Sequence, residues 1–373
     1  MSKLARCFYL YCQLWSACDT GFDARQEIEK IVGIDYHVLL LFTFAFIGMK
    51  QSYFWPYEKD VLDELAVSTK LPITHNAQRK FLDWCCCDTS IARNYDGSIK
   101  VFEKYPMIRC DYKPIISKGD VFLRVSSREL HRKATKGIYY DLSERHSGAS
   151  GANQFRTAFG TVFQEYVGVF LREHFQSWDI QPEIEYYEGK TSRRSIDWIA
   201  WRDDKAILFE VKQNALGYQA KTSGRTDLIR QDVNCNIGKA ISQIEKTIKE
   251  IRTQKHEEFK KYRNVSKIES VVVLYDSLYL ARKVLNECID KVKYPSYQKH
   301  HIIGICDFEY LCECQKDTES MFDILQNKKT KPDYKMMDFN EYLINVFPNY
   351  GQHVKYHAKV FDEVFAVMPK ISV

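Results

Sequence analysis

The chain has 373 residues, 45% of them hydrophobic and 28% charged, and a net charge of +5. It is long enough for two domains with buried cores, and too apolar to be a disordered chain. A mildly basic balance permits a nucleic-acid partner without requiring one, so function has to be read from particular residues.

From the amino terminus, residues 3–19, 55–68 and 76–87 read as helices. Residues 38–49 (VLLLFTFAFIGM) form a wholly apolar run. It is shorter than the roughly 20 apolar residues a bilayer span needs, so a buried helix is expected and no membrane partner. Residues 106–116 and 121–125 read as a hairpin with a Lys118-Gly119 turn, and residues 126–135 as a short helix. Residues 147–151 (SGASG) are the clearest linker. They divide the chain into a mostly helical domain, 1–146, suited to sensing, oligomerisation or partner binding, and a second domain, 152–373.

Residues 154–175 form an amphipathic helix. Its apolar stripe is Phe155, Phe159, Val162, Phe163, Tyr166, Val167, Phe170 and Leu171. Glu165 lies close to that stripe. An extended run at 183–187 (EIEYY) leads to two β-branched and aromatic segments around Arg202-Asp203-Asp204-Lys205, the pattern of a hairpin. With Asp203-Asp204 as its two-residue loop, Arg202 faces Lys205 and Trp201 faces Ala206. The same register puts Asp197 opposite Glu210, with Lys212 on the face of Glu210. A one-residue slip would separate the two acids. Residues 214–236 read as a polar loop, and residues 237–262 as a long helix. Apolar strands at 270–275 and 301–307, a helix at 278–293 and helical tails at 339–347 and 353–367 complete the chain. Strands alternating with helices indicate an α/β class.

Two acids and a lysine on one apolar sheet face have two readings. One is a solvated strand face carrying a salt bridge. The other is a site for a divalent cation, which offsets the repulsion of facing carboxylates. Glu-x-Lys alone does not decide between them. Acid-x-Lys recurs at Asp111-Lys113, Glu188-Lys190, Asp203-Lys205, Glu258-Lys260 and Asp333-Lys335, none with an upstream acid in register.

A helix carrying an acid, a strand, an aspartate on a strand and Glu-x-Lys on the next strand resembles the PD-(D/E)xK, or restriction-endonuclease-like, nuclease superfamily. The resemblance covers about 154–311 and rests on a short motif. Ile196 stands where the family name has proline. The resemblance implies a mixed central sheet flanked by helices and a Mg²⁺-dependent endonuclease, with Mn²⁺ able to substitute. Asp197 and Glu210 would hold the ion, with the Val211 carbonyl a further ligand. Lys212 would position the attacking water, and Glu165 would bind a second ion or its water. Such folds carry a glutamine or lysine on the next helix, here Gln243, whose other reading is an ordinary surface residue. The products would bear 5′-phosphates. DNA is expected rather than RNA, cut by a homo-oligomer, with the helical half engaging a protein partner and anti-phage defence the role by analogy. The alternative is a catalytically inactive nuclease-fold module that binds nucleic acid or serves assembly.

Lys190, Arg193 and Arg194 lead into the hairpin, and Tyr218, Lys221, Arg225 and Arg230 lie in the loop beyond Lys212. They are the candidate phosphate and base contacts, the other reading being a solvated surface. The 12 cysteines are scattered and no secretory leader is evident, so a reduced, cytoplasmic protein is expected. Cys85, Cys86 and Cys87 read as small buried hydrophobes. His300, His301, Cys306, Cys312 and Cys314 lie close in sequence but match no paired zinc spacing.

Overall fold

The computed structural model describes residues 2–49, 53–54, 57–94, 104–110, 121–147, 153–214, 216–276, 282–317, 320–335, 337–348, 350 and 359. The fold is mixed α/β. Its contacts divide the chain into two units, with the division between Val162 and Phe163. The division falls inside the Gln154–His174 helix, beyond the expected boundary at 147–151, whose central residues lie outside the described ones. The reason is aromatic. Phe155 stacks on Trp15 and Phe159 meets Tyr11 and Tyr139, so the first turns of that helix pack within the first unit.

In the first unit the helices Ala24–Val32, Tyr36–Gly48, Lys59–Thr69 and His75–Cys85 accompany a small sheet. The sheet joins β1 (Tyr53–Phe54), β2 (Cys86–Asp88), β3 (Met107–Cys110) and β4 (Val121–Arg124) in the order β1-β4-β3-β2. The expected hairpin pairs β3 with β4, while its Lys118-Gly119 turn lies outside the described residues. The largely apolar Tyr36–Gly48 helix is buried along most of its length. Its final carbonyls accept from the Arg124 guanidinium, which bonds Phe46 O, Ile47 O at 3.2 Å and Met49 O at 2.8 Å. No single helix among the described residues is long and apolar enough to cross a membrane. Cys85, Cys86 and Cys87 are buried, and all 12 cysteines are unbridged.

The second unit is built on a five-stranded sheet. In chain order its strands are β5 (Asp179–Pro182), β8 (Trp198–Arg202), β9 (Lys205–Lys212), β10 (Lys267–Leu274) and β11 (His301–Gly304). Their spatial order is β11-β10-β9-β8-β5. The β9, β10 and β11 strands run parallel, and β8 and β5 are antiparallel additions. Between β5 and β8 a separate ribbon pairs β6 (Glu185–Glu188) with β7 (Thr191–Arg194).

Alternation along these strands assigns the two faces. Ile199, Leu208, Val272 and Leu274 pack with Ile237, Ile241 and Ile244 of the helical stretch ending in Lys239–Thr253. On the other face Phe209 meets Phe175 and Phe308, and Phe308 meets Phe170. All eight residues of the expected stripe on Gln154–His174 are fully buried. At ~1.5–3 kcal/mol for each buried large apolar side chain, this helix is a principal source of core stability. The long helix expected over 237–262 ends at Thr253, where Gln254 turns left-handed at φ +50, and a tighter helical turn follows over Glu257–Tyr262. The strand expected over 301–307 ends at Gly304. Asp307 lies in the first turn of the Ile305–Asp317 helix and accepts from the Gly304 N–H at 3.3 Å. Of the expected tail helices, Phe339–Val346 is present, and 353–367 lies almost wholly outside the described residues.

Candidate active site

The hairpin that carries the acids has the expected register. Arg202 pairs with Lys205, Trp201 with Ala206, and the ladder runs back to Trp198 with Phe209. Its two-residue turn closes because Asp203 adopts φ +54, a left-handed conformation that a short polar side chain tolerates. The ladder stops one residue short of Asp197. There Asp197 Oδ2 accepts the Val211 N–H at 2.7 Å, a side-chain bond where the next strand bond would fall. Asp197 and Glu210 are thereby held at one end of one sheet face, close enough for each to feel the other's surroundings.

Glu210 is 1% exposed. Its Oε1 accepts from Lys212 Nζ at 2.5 Å, and Lys212 Nζ also donates to Gln243 Oε1 at 3.1 Å. Glu210 Oε2 is buried with no hydrogen-bond partner. Burial pushes the Glu210 carboxyl up, the Asp197 charge adds to the rise, and Lys212 offsets part of it. Burial likewise raises Asp197, against the Val211 N–H and Lys212, which favour its charged form. A buried acceptor left unmade costs about 1–3 kcal/mol, a cost that a bound cation would remove. Among the described residues no three Asp, Glu, His or Cys side chains form a metal cage. Two carboxylates without a third Asp, Glu, His or Cys donor suit an ion that keeps several waters, as Mg²⁺ does, and not a closed structural zinc.

A third carboxylate belongs to this neighbourhood and was not among the expected ones. Glu183 acts on both Asp197 and Glu210, and Lys212 acts on Glu183. Its place follows from the join between two pairings. Pro182 pairs with Trp198, the Ser195 N–H donates to Ile184 O at 2.9 Å and the Ile184 N–H donates to Ser195 Oγ at 2.8 Å. Between these contacts the single residue Glu183 spans the same gap as Ile196 and Asp197. The Ile196 N–H donates to Thr247 Oγ1 at 3.1 Å, which ties this join to the Lys239–Thr253 helix.

The Glu165 helix packs on the sheet face opposite Leu208, the face to which Trp198 points. Trp198 Nε1 donates to Gln164 O at 2.9 Å, and its ring lies against Gly168. The Glu165 carboxylate pairs with Arg172, whose guanidinium lies over the Trp198 ring.

The basic residues divide. Lys190 is exposed at the ribbon turn, Arg193 pairs with Glu188, and Arg194 pairs with Glu183 at 3.3 Å. The stretch expected as a polar loop is instead two helices, Tyr218–Ser223 and Thr226–Val233. Its sparse apolar residues, Leu216, Ala220, Ile229 and Val233, all turn into the core, and Gly224 at φ +66 ends the first helix. Tyr218 opens that helix. Lys221 is bound to the buried Asp276 at 2.7 Å, which makes it a structural cation. Arg225 pairs with Asp227, and Arg230 stays exposed. Among the described residues, neither His300 nor His301 belongs to a group of three side chains that could hold a metal. His300 bonds Ser270 Oγ at 2.7 Å and Glu245 at 3.0 Å, and His301 faces Glu269.

Neither a protein-family model nor a curated protein matches this chain.

Proposed function

We propose that the second unit is a Mg²⁺-dependent phosphodiester hydrolase of the restriction-endonuclease-like type, acting on nucleic acid and on DNA in preference to RNA. The observation that carries the proposal is the Glu210 carboxylate. One oxygen is held by Lys212, and the other is buried without a partner at a point that Asp197 also faces. A structural salt bridge has no use for that second oxygen. A cation site has.

Asp197 and Glu210 would hold the ion, with the Val211 carbonyl as a further ligand, and Mn²⁺ would substitute. When bound, the ion supplies Lewis-acid charge that activates water and offsets charge developing on the phosphate. The Val211 N–H fixes the orientation of Asp197. Lys212 would position the attacking water with its ammonium and counter the negative charge of the transition state. Gln243 fixes the direction of that ammonium. In-line attack would leave a 5′-phosphate. Strands that are both cut call for paired sites, so a dimer or tetramer goes with this reading, and the first unit is proposed as the sensing or partner-binding half. A role in defence against phage rests on analogy.

Incubation with linear, supercoiled and single-stranded DNA and with RNA, in Mg²⁺, Mn²⁺ or EDTA, tests the proposal. It requires cleavage that EDTA abolishes. Salt-sensitive binding without cleavage in any ion would replace it with the inactive binding module.

A further inference from the structure

We propose that Glu183 stands beside this two-carboxylate centre, outside the set that holds the ion, and that its ion pair with Arg194 ties the charge around the centre to occupation of the β6–β7 ribbon by substrate phosphate. The inference rests on the nuclease reading and assigns two residues that reading does not use.

Three features carry it. Glu183 spans the gap that Ile196 and Asp197 span, between the Pro182–Trp198 pair and the Ile184–Ser195 bonds, next to the end of the sheet that carries Asp197. The partner of Glu183 is not a core group but Arg194, the last residue of a strand exposed at every position. The side chains of this pair are 66% and 30% exposed, so it contributes little and exchanges readily. The unpartnered Glu210 Oε2 independently marks the adjoining space as one for a cation.

A guanidinium forks onto phosphate as well as onto carboxylate. With no substrate, Arg194 neutralises Glu183. When a phosphate takes Arg194, Glu183 presents its full charge beside Asp197 and Glu210 and strengthens their attraction for a divalent cation. The coupling is reciprocal, so the cation also strengthens the hold on substrate. Glu183 is a positioning residue in this scheme. It shapes the field around the ion and does not touch the reacting phosphate.

The test is calorimetric titration with Mn²⁺, alone and with a short phosphorothioate DNA duplex that keeps the phosphate charge and resists hydrolysis. For the unaltered protein the duplex should tighten Mn²⁺ binding on the order of fivefold. Glu183→Gln should bind Mn²⁺ more weakly and show no gain from the duplex, and Glu183→Asp should restore part of the gain. Arg194→Ala should bind Mn²⁺ tightly without duplex and gain nothing further. A full gain retained in Glu183→Gln, or Mn²⁺ binding in Arg194→Ala no tighter than in the unaltered protein, overturns the pair's role. Mn²⁺ binding that Glu210→Gln leaves unchanged overturns the nuclease reading itself.

Discussion

Asp197 Oδ2 accepts the Val211 N–H at 2.7 Å, one residue past the last pair of the β8–β9 ladder. The bond does two things at once. It completes the edge of the hairpin, and it spends only one oxygen of Asp197, leaving its carboxylate beside that of Glu210. Each acid is thus fixed by a single contact, Asp197 by a backbone amide and Glu210 by Lys212.

Gln243 is the simplest part to probe. Its Oε1 accepts from Lys212 Nζ at 3.1 Å, and a bond of this kind contributes about 0.5–1.5 kcal/mol. Gln243→Leu should therefore lower kcat by roughly threefold to tenfold with little change in KM, since it loosens the lysine and not the substrate. Steady-state kinetics on a labelled oligonucleotide reads this. An unchanged kcat would return Gln243 to the surface.

Much of this site was legible because hairpin register is local. The two-residue loop and the alternation of side chains bring Asp197 and Glu210 together without reference to the rest of the chain. Gln243 followed from the family resemblance and not from its own surroundings. Glu183 was hidden for the opposite reason. Its position depends on where the β5–β8 pairing stops and the β6–β7 pairing begins, and no local pattern announces that join. For Glu165 the sequence shows closeness to an apolar stripe, which says which side of a helix is buried and not which face of a sheet that helix covers; its carboxylate pairs with Arg172. The segment 214–236 misled because Leu216 with Ala220 and Ile229 with Val233 are only one i,i+4 pair each, too few to announce two short helices among polar residues.

The carboxylate pair should weaken the metal-free fold. The folded-state pKa of Glu210 lies above its ordinary value, so the stability it contributes is fully present below about pH 4.5 and is lost as pH rises toward the folded value. In EDTA at pH 8, Glu210→Gln removes a buried charge and should raise stability by about 1–2 kcal/mol. Thermal melts from pH 5 to pH 8 should show a falling midpoint for the unaltered protein and a flatter one for the variant. A variant less stable at pH 8 would mean that the Lys212 bridge outweighs the burial of charge.

Gly168 tests the packing behind the site. A Cβ there would overlap the Trp198 indole, next in sequence to Asp197. Gly168→Ala should cost about 1–3 kcal/mol despite alanine's better helix propensity, as overpacking does. Urea unfolding measures it, and a stabilised variant would show that β8 shifts freely.

The most direct measurement is nucleic-acid cleavage in Mg²⁺ by the unaltered protein beside Lys212→Ala and Glu210→Ala, each confirmed folded by circular dichroism. Mg²⁺-dependent cleavage by the unaltered protein is predicted, with a loss of about 10²-fold or more in both variants. Cleavage that survives both substitutions would place the chemistry elsewhere in the chain and contradict the assignment of this hairpin as the active site.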